Sequence, residues 1–253
     1  MSEPIRRAAA PIAVDGDLKK EVWTGVSRSQ RFGDLETGCR QTLFDTWAAM
    51  QWDDRHLYVA FWLEDRDVCC TGARPSPLGW EENCAEILVA GAAAHGRIAV
   101  NPAGRVSTAF FIFKDGYQRG GRYDVPEFDL AAHRPSVFGG DAGPKHRRGM
   151  RWGFLPWQIP GLQVGVRVNG ALDDRSSIDR GWAAEIAVPW EALKWLAPEG
   201  ATSLNCGDAW RLVLLRRQVV DHRAERRQAL WTWQPLWGGD LFAPESYMDF
   251  VLA

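Results

Sequence analysis

Trp47-Ala48-Ala49-Met50-Gln51-Trp52-Asp53-Asp54-Arg55-His56-Leu57-Tyr58-Val59-Ala60-Phe61-Trp62-Leu63 is the stretch that decides the fold. Leu57, Val59, Phe61 and Leu63 alternate with Tyr58, Ala60, Trp62 and Glu64, the period of a β-strand. The polar Asp53-Asp54-Arg55 breaks the pattern as a turn does, so the reading is two strands, Arg40 to Trp52 and His56 to Asp65, joined as a hairpin. Both faces are rich in apolar residues, which suits a strand covered on both sides.

The same punctuation recurs along the chain. Further strands are expected at Cys84 to Ala90, Arg97 to Asn101, Val106 to Phe113, Val164 to Val168, Trp182 to Val188, Trp210 to Gln218, Ala229 to Trp233 and Tyr247 to Leu252. Helix is scarce. One short turn is expected over Asp17 to Trp23 behind a capping Asp, and another over Pro189 to Leu196, where proline suits the first turn and Pro198 ends it. The prediction is therefore an all-β protein, an antiparallel sandwich of the jelly-roll kind with one or two short helices. Residues 1–10 read as a tail and 11–253 as one domain. Between Lys114 and Gln163 the alternation dissolves into Gly, Pro, Arg and His, and that span reads as a long central insertion.

At 253 residues and 46% hydrophobic content the chain can bury a full core without disulfides or metals. Thirty Lys plus Arg stand against thirty-two Asp plus Glu, a formal net charge of -2, so no basic field gathers nucleic acid or anionic membrane. The basic runs Lys145 to Arg148 and Arg216-Arg217 through Arg223, Arg226 and Arg227 read as solvated or ion-paired surface. No apolar run reaches membrane-spanning length, no signal peptide is expected, and oligomeric state is left open. The five cysteines, Cys39, Cys69, Cys70, Cys84 and Cys206, are odd in number and lack a Cys-x-x-Cys pair, which points to reduced thiols in a cytoplasmic protein.

Phosphate loops, dinucleotide glycine motifs, His-Glu-x-x-His and Gly-x-Ser-x-Gly elbows are all absent from the sequence. Tryptophan is the outlier. The chain holds fourteen, against four Tyr and eleven Phe, where roughly one Trp per hundred residues is ordinary. Aromatic residues beside polar ones near strand ends suit a pyranose, which offers a C–H face for stacking and hydroxyls for paired hydrogen bonds. Trp80 precedes the strand that carries Glu86, and Glu86 should face away from Ala85, Ile87 and Val89. Arg97 and Asn101 share the polar face of the next strand and could bind vicinal hydroxyls. Trp231 or Trp233 could close a clamp against Trp80.

Six motifs in order, Pro11 to Leu18 with Val22-Trp23, Trp52 to Phe61, Trp80 to Glu86, Ala99 to Gly104, Gly181 to Trp190 and Trp210 to Leu212, resemble the family 9 carbohydrate-binding modules of the DOMON-like sandwich group. The resemblance spans about residues 11 to 253. It implies a saccharide end held between two Trp rings, with acidic, amide and Arg contacts to its hydroxyls, and structural calcium in the sandwich. Carried to this chain, Trp80 is the first platform, Glu86 the hydroxyl acceptor, Arg216 the family's arginine, and Trp231 or Trp233 the second platform. The chain departs from the family at Asn83, where Asp is usual, at Val213, where Asn is common, and at Leu241 to Glu245, which lacks the His before Pro-Glu. Asp15, Asp17, Asp65 and Asp67 are the oxygen ligands available for calcium.

The residues also offer two other functions. A small enzyme, a lyase, cyclase or sugar-modifying activity in an aromatic pocket, would need a titratable pair, for which Glu86 with Glu185, or Asp173 with Asp174, are the candidates. Haem would need ligands such as Met50, Met150, Met248 or Lys114, and Met50 alternates with core positions; no haem is expected.

Overall fold

Alternating side chains build the architecture. The computed structural model describes residues 2–70, 82–139, 148–198, 204–222, 225–236 and 240–253, excluding the side chains of 221, 222, 225 and 226. Among these residues the strands are β1 (Glu3–Arg7), β2 (Gly33–Asp34), β3 (Thr46–Trp52), β4 (His56–Leu63), β5 (Cys84–Ala90), β6 (Ala94–Val100) and β7 (Val106–Phe113). They continue with β8 (Ser136–Phe138), β9 (Arg151–Phe154), β10 (Gln163–Asn169), β11 (Gly181–Pro189), β12 (Ala209–His222), β13 (Glu225–Thr232) and β14 (Met248–Leu252). Three one-turn helices accompany them, α1 (Glu21–Thr24), α2 (Leu130–His133) and α3 (Trp190–Leu193).

The strands form two layers. One runs β10-β11-β4-β3, and the other runs β14-β12-β5-β6-β7-β9-β8, with β13 and then β2 added beside β12. The predicted hairpin is β3 and β4 in register Trp52↔Leu57, its turn held by Asp53, whose Oδ1 accepts from the backbone N–H groups of Arg55 and His56 at 2.7 Å. Ala48, Met50, Leu57, Val59, Phe61 and Ile186 from one layer meet Ile87, Ile98, Phe110, Ile112, Leu212 and Leu214 from the other in a continuous core. That face-to-face burial is what makes the fold a β-sandwich.

Residues 1–10 are not a tail. Glu3–Ile5 of β1 pair in parallel with β14, and Arg6–Arg7 pair in parallel with β3, so this strand passes from one layer to the other and ties them together. Only Ile5 of the five is buried, hence no alternation marked the strand; its backbone hydrogen bonds hold it. The span 114–163, expected as a long insertion, holds structure of its own. It carries α2, capped by Asp129, and β8 and β9, with β9 extending the sheet beside β7.

The two outer faces are treated differently. The segment from Ala8 to Val26 lies across the outer face of the β10-β11-β4-β3 layer, packing Ile12, Leu18 and Trp23 on Ala49, Tyr58, Ala60 and Ala187. Glu185 anchors it, accepting from the backbone N–H of Asp15 and Gly16, from Trp23 Nε1 at 2.7 Å and from Lys20 Nζ at 2.7 Å. Gly16 must be glycine there, since its φ is +78° and a Cβ would lie 2.8 Å from Val166 backbone. The other layer keeps a recess in its outer face.

Candidate ligand-binding site

Strand alternation puts Ala85, Ile87 and Val89 in the core, so Glu86 and Leu88 emerge on the outer face of β5. Its neighbours β6 and β12 place Arg97 and Arg217 diagonally to either side of Glu86, since Leu88 pairs with Arg97 and Cys84 with Arg217. Arg97 Nε donates to Glu86 Oε2 at 2.6 Å, and Arg217 Nε donates to Glu86 Oε1 at 2.7 Å. The outer ends of the two guanidiniums diverge. Arg97 Nη1 donates to Ser107 Oγ at 3.3 Å, and Arg217 Nη1 donates to Gln228 Oε1 at 2.9 Å. Glu86, Arg97, Arg217 and Gln228, with Leu88, Leu241 and Phe242, line a pocket of about 210 Å³.

All three charges are buried, at 0% exposure for Glu86, 2% for Arg97 and 6% for Arg217. Burial alone would raise the Glu86 pKa, but the two guanidiniums overcome it and hold the carboxyl down at about 2. Burial opposes the charge on Arg217 too, and Glu86 more than restores it, raising that pKa. Cys84 Sγ lies 3.2 Å from Glu86 Oε1, and burial first, then the carboxylate, push the thiol well above its ordinary value. Arg97 Nη2 is buried with no hydrogen-bond partner among the described residues. An unmet buried donor of a charged group is costly, and an acceptor from water or from a ligand meets it.

Of the residues expected at the site, the fold brings Glu86 and Arg97 together. Asn101 lies at the end of the same strand face, where its Oδ1 accepts from the backbone N–H of Ala103 and Arg105 and its Nδ2 donates to Glu82 at 2.6 Å, so it shapes the turn after β6. Trp80 lies outside the described residues.

Arg216 points the other way. It is sealed between the layers, donating to Thr46 Oγ1 at 3.0 Å, the Glu64 carbonyl at 2.6 Å and Asp65 Oδ2 at 3.2 Å, and it stands 5.0 Å over the Trp231 ring. Trp231 pairs with it across the ladder and shares its inner face, and Trp233 packs edge-on to Phe250 at 5.3 Å. Arg216 and Trp231 thus lie in the interior, on the opposite face from Glu86, and Trp233 is half-buried against the core, so none of the three lines the pocket over Glu86. The sequence reading missed Arg217, Gln228 and Phe242. The available signal was parity, because Arg217 shares a face with Val213 and Leu215 and not with the core-facing Leu212 and Leu214.

The four aspartates expected to bind calcium are engaged by cationic side chains. Asp15 meets Lys20 at 2.9 Å, Asp17 meets Arg167 at 3.0 Å, Asp65 meets Arg216 at 3.2 Å and Asp67 meets Arg175 at 3.0 Å. Among the described residues no three acidic, His or Cys groups converge as a metal site, and these partners do not fit a cation between them. The titratable pairs considered for catalysis are also separated in role. Glu185 sits under the N-terminal segment on the opposite outer face from Glu86, Asp173 Oδ1 accepts from the Cys70 backbone and Asp174 Oδ1 from the Ser176 backbone. A wider groove of about 940 Å³ runs past Trp190 and Trp210, whose indoles are nearly buried, and its rim carries the exposed Asp54, Arg55 and Lys194.

No known family profile matches the chain, and no curated protein matches it. Solved structures do. A family 9 carbohydrate-binding module from Caldicellulosiruptor kristjanssonii in complex with glucose superposes with a TM-score of 0.54 at 13% identity, covering 99% of this chain and 96% of that one. The complex of such a module from the same organism with cellotriose gives a TM-score of 0.54 at 14% identity, covering 99% and 93%. A Bacteroides uniformis ATCC 8492 structure titled a "putative carbohydrate-binding protein" gives 0.57 at 12% identity, covering 100% and 99%. From end to end, this chain has the sandwich fold of the family 9 carbohydrate-binding modules.

Proposed function

We propose that the protein binds a saccharide, without chemistry of its own, in the pocket over Glu86, Arg97 and Arg217. The observation that carries this reading is the buried Arg97-Glu86-Arg217 cluster with an unmet Arg97 Nη2, set in a wall whose remainder is largely Leu88, Leu241 and Phe242. A sugar needs that combination, an apolar surface for its C–H face and fixed polar groups for its hydroxyls. Structures of the same fold hold glucose and cellotriose, which supports the class of ligand. Trp80, outside the described residues, is proposed as a stacking platform. The five cysteines are free thiols, which supports a reducing compartment.

An enzyme reading finds no acid here. Glu86 is bridged on both oxygens and ionised down to about 2, so it has no proton to donate near neutrality.

The test is calorimetric titration of the whole chain with a panel of mono- and oligosaccharides. Saturable heat with a panel member, weakened at least tenfold by Arg217→Gln and by Trp80→Ala, is expected. Silence across the panel would remove the carbohydrate reading and leave only the fold.

A further inference from the structure

We infer that the saccharide bound in this pocket carries a carboxylate, as a uronic acid residue does. The inference rests on the carbohydrate reading and adds the charge of the ligand. Three fully charged side chains line the pocket, two guanidiniums and one carboxylate, so its wall carries one positive charge in excess. Glu86 cannot cover both. Each of its oxygens is already taken by one arginine Nε, and Cys84 Sγ crowds Oε1 as well.

The remaining partners of the two arginines are neutral, Ser107 for Arg97 and Gln228 for Arg217. Outside the lining the next charges are Arg151, Asp240 and Glu245, all within electrostatic reach of Tyr247. Arg151 lies 4.2 Å over the Phe242 ring, and Asp240, whose Oδ1 accepts from the Phe242 backbone N–H at 2.8 Å, lies within electrostatic reach of Arg151. Among the lining residues themselves the excess lies on Arg97 and Arg217, and Arg97 Nη2 is buried without a hydrogen-bond partner among the described residues.

A neutral sugar offered to this wall would find its carboxylate acceptor already committed. A ligand carboxylate instead supplies the missing counter-charge and accepts a charge-assisted hydrogen bond from a guanidinium. The sugar ring would lie against Leu241 and Phe242 while its acidic group meets the arginines. Selectivity for the acid over the neutral sugar then follows from the one uncompensated charge.

The experiment is calorimetric titration of the full chain with D-glucuronate and D-galacturonate, beside D-glucose, D-galactose and acetate. Binding of a uronate at least tenfold tighter than its neutral parent and than acetate is expected, weakening as salt is raised. Gln228→Glu, a change at an exposed position that returns a carboxylate to Arg217, should weaken uronate binding at least tenfold with the fold intact. Arg97→Lys provides a second variant that keeps the charge and loses the guanidinium geometry, and it should weaken the uronate by a smaller factor. If neutral sugars bind as tightly as the uronates, the charge inference falls and the carbohydrate reading stands. If acetate matches the uronates, or if nothing binds, both fall.

Discussion

Arg216 and Arg217 are chain neighbours with opposite fates. Arg216 enters the interior and meets Asp65; Arg217 leaves by the outer face and meets Glu86. In the interior pair, burial raises the Asp65 pKa and drags that of Arg216 down to about 10, so both partners lean toward neutrality. On the outer face the carboxyl falls to about 2 and the Arg217 pKa rises. One carboxylate flanked by two guanidiniums is over-compensated, whereas Arg216, with Asp65 and Glu64 in electrostatic reach, still loses more to burial than they restore. The interior pair thus serves to close the sandwich, with Thr46 and backbone carbonyls completing it, while the outer cluster keeps charge to spare for a ligand.

The largest effect that would break this contrast belongs to the interior. Arg216→Met leaves Asp65 buried without a counter-charge and should cost about 3–5 kcal/mol in denaturant unfolding. Ligand affinity per folded molecule should be untouched, and a loss of affinity on that scale would place Arg216 at the site after all.

Glu86→Gln comes next. A carboxyl with an ordinary value of 4.5 held at about 2 contributes about 3 kcal/mol at neutral pH. Because the folded value is the lower one, that contribution is complete above about 4.5 and disappears as pH falls toward 2. Wild-type stability should therefore drop across this window more steeply than that of the variant, and parallel acid-unfolding curves would contradict the role assigned to Glu86.

Arg217→Gln should separate the two functions of the cluster. Glu86 keeps Arg97, so the main loss is the charged hydrogen bond from Arg217 to Glu86, with the bond to Gln228 beside it, about 2 kcal/mol by thermal or chemical unfolding, while ligand binding falls at least tenfold. The smallest effect is expected at the surface aspartates. Asp67→Asn removes an exposed pair with Arg175 and should change stability by no more than about 1 kcal/mol. Calcium and chelator should leave the melting temperature of the wild type unmoved, and a calcium-dependent rise would reinstate a metal role for these aspartates.

Much of the sandwich was legible in the alternation. Cys84–Ala90 and Val106–Phe113 appear with the limits their apolar patterns indicated. Strand β12 runs four residues beyond the expected Gln218, because pairing with β13 extends a strand past the end of its apolar pattern. Strand β1 left no pattern at all, since Pro4, Arg6 and Arg7 surround one buried isoleucine and only its partners β3 and β14 define it. The site divided in the same way. Glu86 and Arg97 stood on strands whose inward faces were unambiguous, so their outward direction could be read. Trp231 could not be resolved by composition, because an indole suits a sugar platform and a core equally well.

By itself, the sequence determined where most of the strands lie and which side of them is apolar, because a period of two is a local property of the chain. Tertiary structure alone decided which arginine meets Glu86, which outer face is covered by the N-terminal segment and where one positive charge is left over. Those outcomes depend on strand register and on what packs beyond each sheet, and a shift of one residue along β12 would have exchanged Arg216 for Arg217.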